Sequence, residues 1–228
     1  MPKLPDKDVE RNQVRIEQAA LRLFTRRGFH GTSVRDIADA AGVSLGNIYN
    51  YYPTKDALFK SLVRRYAERM GELQRKTLAP LIGSLEPEAL TKLAAAVRQI
   101  VYGNPDYWRL MYIDVTEFGN RHFAHIFRGL SQNLQKLAGP GWARAQATCR
   151  HDVDPGLAFS AIYLHFFTYF LVEKLFGGKH HLGMPDDRAI EQLVRIFTAG
   201  AANGSVAKPP ATTSPDAPAQ GNLRRERQ

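Results

Sequence analysis

Asp114 and Glu117 stand three residues apart, and so do His122 and His125. On a helix each pair would share a face, and two carboxylates with two imidazoles suit a divalent transition metal. A metal-dependent enzyme could be built on such a cluster. Spacing alone does not bring two helices together, however, and the ordinary reading is polar residues exposed at helix ends. The run "HDVD", His151 to Asp154, suggests a metal hydrolase in the same way. It leads straight into Pro155 and Gly156, where acids would complement the positive end of a new helix. His180 and His181, inside "GGKHHLG", read as a flexible loop. The chain carries no recognised nucleophile, phosphate loop or complete metal motif. No cofactor and no enzymatic activity are therefore expected, and the Asp/Glu/His cluster stays an alternative.

A different chemistry sits at residues 43–59, "VSLGNIYNYYPTKDALF". Ser44 is a good N-cap for a helix running to about Tyr51 before Pro53. Ile48 and Tyr52 can be buried, which leaves Leu45, Gly46, Asn47, Tyr49, Asn50 and Tyr51 at the more exposed positions. A helix that lies in the major groove needs donors and acceptors on its surface. Gly46 removes bulk, so the helix start can approach phosphates closely. Asn50 offers the two-point amide edge that reads adenine. Tyrosine hydroxyls and Lys55 suit phosphate oxygens, which fix register without reading sequence.

The flanking segments must hold this helix in place. In "RIEQAALRLFTRRGF", Ile16, Ala19, Ala20, Leu23 and Phe24 follow one helical face, and Gly28 ends it. "TSVRDIADAAGV" opens on a capping pair, Ser33 with Asp36, and turns the chain at Gly42. Thr54 caps a further helix, "KDALFKSLVRRYAERM". Helix, turn and short helix, with a supporting helix on either side, is the helix-turn-helix pattern.

Composition agrees with a polyanionic partner. The chain of 228 residues has 31 Lys+Arg against 22 Asp+Glu, a net charge of +9. The excess is uneven: residues 1–80 hold 15 basic and 9 acidic residues, whereas residues 81–203 hold 12 and 11. The near-neutral central region suits a domain that handles something other than nucleic acid. A single cysteine, Cys149, excludes an internal disulfide. The polar start lacks the apolar core of a secretory signal, so a cytoplasmic location is expected. Leu157 to Val172 contains no Asp, Glu, Lys or Arg. It is short for a membrane span and is interrupted by Ser160, His165 and Thr168, so it reads as a buried helix, and no membrane partner is expected.

The stretch "FHGTSVRDIADAAGVSLGNIYNYYPTKDALF" resembles the DNA-binding domain of TetR family transcriptional regulators. The resemblance covers roughly residues 10–65. It rests on Gly31, Thr32 and Ser33; on Gly46, Tyr49, Tyr51 and Tyr52; and on Lys55, Asp56 and Leu58. It implies an all-α, two-domain homodimer that binds a palindromic double-stranded DNA operator and is released by a small-molecule effector, most simply as a repressor. By this resemblance Thr32, Ser44, Tyr49, Tyr51 and Lys55 would touch phosphates, with Ser33 beside them. Leu45, Gly46, Asn47 and Asn50 would confront bases. Leu45 stands where a polar or basic residue is common, and Tyr52 replaces a more usual Phe.

Four segments are expected: a loose N-terminal arm at 1–10, a helix-turn-helix domain at 11–55, a helical domain at 56–203 to which the resemblance gives ligand binding and dimerisation, and a tail at 204–228 that reads as disordered because it is rich in Pro, Ala and Thr without apolar periodicity. The third segment reads as helices over "EALTKLAAAVRQIVY", "PDYWRLMYIDVTEF" and "NRHFAHIFRGLSQNLQKL". Core packing accounts for most of their aromatic residues. A cavity among these helices would be lined by Tyr107, Trp108, Met111, Tyr112, Val115, Phe123, Phe127 and Phe166, suiting an apolar or aromatic effector. The last two helices would form the dimer interface through Leu157, Ile162, Phe166, Phe170, Ile190, Leu193, Val194, Phe197 and Ala201. A non-specific DNA binder is a further alternative, against which the asparagines and the aromatic central region argue.

Overall fold

The computed structural model describes residues 6–201, apart from the side chains of residues 6–9, 126 and 127. Residues 1–5 and the whole 204–228 tail lie outside the described residues, as does the side chain of Phe127.

The first helix, α1 (Asp6–Arg27), begins inside the stretch expected to be a loose arm, because residues 6–10 continue its first turns. Ile16, Ala19, Ala20 and Phe24 form its buried stripe. Gly28 stops it at φ +75°, where a side chain would be strained. Helix α2 (Val34–Ala41) is fixed at its start by a complete capping box between Ser33 and Asp36. Gly42, in the left-handed region, turns the chain and donates its N–H to the last carbonyls of α2. Helix α3 (Leu45–Tyr51) is capped by the Ser44 hydroxyl, which accepts from the Asn47 N–H, and it buries only Ile48. Helix α4 (Lys55–Thr77) starts on Thr54.

The rest is α5 (Pro87–Gly103), α6 (Pro105–Phe118), α7 (Ala124–Phe127), α8 (Leu130–Ala138), α9 (Trp142–Thr148), α10 (Pro155–Leu175) and α11 (Asp186–Ala201). The helix expected over 120–137 is broken: Gly129, at φ +69°, separates the single turn of α7 from α8. Helix α9 carries too little apolar periodicity to be seen in the sequence. The apolar core runs through α10, which packs on α5 and α8, while α11 packs on α5. Helix α10 is long and apolar enough to cross a membrane, but half of that stretch is buried inside the protein.

Two expectations change here. A border at 55/56 would divide two units at the start of α4, yet Leu58, Phe59 and Leu62 are buried with the α1 side chains. Phe59 meets Phe24 of α1 at 5.7 Å and Phe118 of α6 at 4.7 Å, so α4 serves both parts. The proposed dimer residues are mostly the protomer's own core: Ile162, Phe166, Phe170, Ile190, Leu193 and Val194 are all buried. Phe197 and Ala201 are half-buried, with Phe197 against Phe166. Of the set, Leu157 alone is largely exposed. An apolar stripe shows that a helix needs a partner, and here α5 is that partner.

Candidate nucleic-acid interface and effector cavity

Helix α3 is too short and too polar to stand alone, and its stability comes from behind. Ile48 is buried in the core where α3 packs on α2, and Tyr52 sits in the core just past the helix end. The Tyr52 hydroxyl donates to Glu17 Oε1 at 2.7 Å, and Ser61 donates to the same oxygen at 3.1 Å. Arg65 pairs with the other oxygen at 2.7 Å as an ion pair, outside hydrogen-bond geometry. Burial, and then the bond to Glu17, push the Tyr52 phenol up to about 12. Tyr52 therefore joins α1 to the end of α3 through a hydroxyl that Phe would lack.

The residues expected to touch DNA divide into two groups. Thr32 is 1% exposed, and its hydroxyl donates to the Gly28 carbonyl at 2.9 Å. Lys55 Nζ donates to the carbonyls of Phe29 at 2.8 Å and Thr32 at 2.7 Å, and it lies 4.2 Å from the centre of the Phe29 ring. Its desolvation lowers the ammonium pKa, while nearby Glu117 opposes that shift. Both side chains hold the α1–α2 turn. Ser33 is exposed but committed to Asp36 through the capping box. Ser44 caps α3, and Leu45 and Tyr51 are half-buried against the core.

The second group is unspent. Tyr49 is 48% exposed, and Asn50 and Gly46 are exposed beside it, with Asn47 half-exposed. Among the described residues, no hydrogen bond is made by the side chains of Asn47, Tyr49 or Asn50. A Cβ at Gly46 would meet nothing within 4 Å, so the start of α3 presents open backbone. Arg35, on α2, is exposed without an ion pair among the described residues; only its charge could have marked it in the sequence.

The carboxylates and imidazoles of the metal candidate do other work. Asp114 is fully buried and accepts the N–H groups of His122 and Phe123, both at 2.9 Å, with His122 Nδ1 at 2.6 Å. It closes the turn after α6. Glu117 points elsewhere and accepts the N–H groups of Phe29 at 3.0 Å and His30 at 2.7 Å. His125 is exposed and lies along the cavity described next. Among the described residues no group of three possible metal ligands forms. Cluster spacing was a false lead because each member is claimed by the backbone or lies apart.

Glu117 is one part of a joint between α6 and the α1–α2 turn. Phe118 stacks on Phe59 and meets Phe29 edge-on at 4.5 Å. Arg121 pairs with Asp56 at 2.7 Å. The other end of α6 lines a cavity of about 470 Å³ between α4, α6, α8 and α10. Tyr107 and Trp108 belong to its wall, and the Trp108 indole N–H donates to the Val101 carbonyl at 3.0 Å. Met111, Phe123 and Phe166 are buried in the core beside it. Tyr112 and Val115 face outward, Tyr112 against Phe176. Sequence reasoning missed Met70, Gln74, Arg75, Leu134, Lys136, Tyr163 and Phe167 on the wall. Tyr163 and Phe167, four apart on α10, were the readable signal, hidden in a helix apolar on every side.

Comparison with known proteins agrees with this architecture. Residues 16–62 match the bacterial regulatory proteins of the tetR family. The transcriptional regulator RutR of Escherichia coli strain K12 is 46% identical over 50 residues, 22% of this chain and 24% of RutR. The transcriptional repressor KstR2 of Rhodococcus jostii is 35% identical over 60 residues, 26% of this chain and 29% of KstR2. The chain spans at most about half the length of the curated relatives it first matches. Over the full fold it is similar to a TetR family transcription regulator from Marinobacter aquaeolei, with TM-score 0.58 and 18% identity across 88% of this chain and 100% of the other. It is likewise similar to NalD of Pseudomonas aeruginosa, with TM-score 0.56 and 21% identity across 86% and 97%. An N-terminal helix-turn-helix matched in sequence is followed by a helical domain matched in fold: residues 16–62 match the tetR family of bacterial regulatory proteins, and the helices beyond them continue in the fold of such regulators.

Proposed function

We propose that the protein is a ligand-responsive transcriptional repressor, acting in the cytoplasm, that binds a palindromic operator as a homodimer. The observation that carries this reading is the division of polar side chains around α3. Thr32, Ser33, Lys55 and Tyr52 are all engaged within the protein, whereas the side chains of Asn47, Tyr49 and Asn50 have no hydrogen-bond partner among the described residues. A rigid frame around an unspent polar face is the arrangement that groove reading requires. KstR2 and NalD are both named as repressors, which supports the sign of the response.

Dimerisation would use the faces that α5 leaves open. On α10 these are Leu157, Ala161, Leu164 and Thr168, spaced along one stripe, and on α11 Ile196 with Ala199 and Gly200. Small residues beside Ile196 let a partner helix approach closely. Two-fold pairing would set two α3 helices against successive major grooves. A ligand entering the cavity would shift the wall formed by Tyr107 and Trp108, and α6 would carry that shift to Glu117 and Phe118. Selection of duplexes from a random pool by the purified protein tests this. A recovered palindrome supports the reading; binding with no motif, lost as salt rises, refutes it in favour of phosphate attraction alone.

A further inference from the structure

Resting on the reading of the cavity as an effector site, we propose that its ligand is a small organic acid, one carboxylate on an apolar body of aromatic-ring size. Three features of the wall carry this.

The first is charge. Arg75 and Lys136 line the cavity, with His125 beside them, and among the described residues no aspartate or glutamate does. Lys136 belongs to residues 81–203, where acids and bases are almost balanced at 11 and 12, and Arg75 to the more basic residues 1–80. Among the described residues neither Arg75 nor Lys136 has an ion-pair partner; the acid near Arg75, Glu72, is held by Lys76 at 2.7 Å. A guanidinium and an ammonium facing one space attract a carboxylate and repel a cationic ligand.

The second is hydrogen-bond polarity. Tyr107 is 3% exposed, yet its hydroxyl has no partner among the described residues. Burial raises its pKa, so it stays protonated and can donate. Tyr163 accepts from the Gln74 amide at 3.4 Å, which leaves its own proton free. Two hydroxyl protons without an acceptor on the wall can both be given to a ligand acceptor, as a carboxylate would supply. The third is the remaining wall: Trp108, Phe167, Leu134 and Leu78 offer rings and branched carbon for an apolar body. About 470 Å³ is at the small end of ligand cavities, which suits one or two rings rather than a nucleotide-linked ester.

The test is calorimetric titration of the full chain with naphthalene-2-carboxylate, its primary amide, and 2-(aminomethyl)naphthalene, three probes of equal bulk. The Arg75→Gln/Lys136→Gln variant changes only exposed side chains and should fold. Gly71→Phe plugs the cavity: Gly71 lies on its wall, and the nearest atom to a Cβ there is the Arg75 guanidinium at 3.8 Å. The acid is expected to bind at least about tenfold tighter than the amide, about 1.4 kcal/mol, with no binding of the amine. That preference should vanish in the double variant, and all binding should vanish in Gly71→Phe. Equal binding of acid and amide, both lost in Gly71→Phe, would overturn the acid while keeping the effector site. Tighter binding of the amine would overturn it in the same way. If no probe binds at millimolar concentration, or if Gly71→Phe blocks none of them, the acid falls together with the cavity's role as effector site.

Discussion

Lys55→Met separates two uses of one ammonium group. If Lys55 served as a phosphate contact, losing it would leave the protein's stability alone and weaken every DNA complex. The structure instead places Nζ between the carbonyls of Phe29 and Thr32, at 2.8 and 2.7 Å, over the Phe29 ring. Hydrogen bonds to a charged group contribute about 1.5–3 kcal/mol each. Both carbonyls lie where water can partly replace the ammonium, so the total loss is set near the low end, about 2–3 kcal/mol. For a chain of this size that is a fall in Tm of roughly 4–12 °C. The assay is thermal unfolding by circular dichroism, paired with operator affinity measured across salt concentrations. A phosphate contact removed would reduce the salt slope by about 0.9 for each lysine lost. We expect the large fall in Tm and an unchanged slope. An unchanged Tm with a reduced slope would refute the account of Lys55 as an internal clamp.

Three further outcomes follow from the same geometry. Glu117→Gln keeps the volume but sets an amide against two backbone donors; stability should fall by about 1–3 kcal/mol. Hydrogen exchange at the Phe29 and His30 amides should speed up, and unchanged exchange there would contradict the joint. The Asp36 carboxyl is held below its ordinary 3.8 by the Ser33 hydroxyl and N–H. Its folded pKa is depressed, so its contribution is present above the unfolded value and is lost as pH falls through the folded one. The Tm difference between the natural protein and Asp36→Asn should therefore hold at neutral pH and close below pH 3.8. Asn50→Ala should relax base preference at one operator position by about 1–3 kcal/mol, checked by repeating the duplex selection, whereas Tyr49→Phe should weaken all sites alike.

The N-terminal helices were legible because their punctuation is local. Ser33 with Asp36, Gly42, Ser44, Pro53 and Thr54 each act within a few residues of themselves, and each did so in the structure. The split at Gly129 was less legible, since a glycine inside an apolar pattern is as often tolerated as obeyed. Side-chain duty was least legible where it depends on a distant backbone group. Nothing near Lys55 says that its acceptors are 26 and 23 residues away, and nothing near Glu117 points to Phe29, 88 residues back. The burial of most of the expected dimer residues within the protomer was hidden for a related reason: periodicity finds the apolar face of α11 but cannot say which helix covers it.

Those long-range bonds also decide whether the ligand-response reading is energetically reasonable. Tyr107 and Trp108 stand at one end of α6 and Glu117 and Phe118 at the other, about ten residues or roughly 15 Å along a rigid helix. A ligand can shift an equilibrium only by its differential affinity for the two states. Moving the DNA-competent population from ten-to-one in favour to ten-to-one against takes a hundredfold preference, about 2.7 kcal/mol. The joint at the far end holds two backbone N–H groups on one carboxylate, a stacked pair of phenylalanines and one exposed ion pair. The exposed pair contributes little, so the carboxylate bonds and the ring contacts supply a few kcal/mol between them. Breaking or retaining that one joint is therefore of the magnitude a small ligand can drive. A far larger interface between α6 and the α1–α2 turn would be locked against such a ligand, and a far weaker one would transmit nothing.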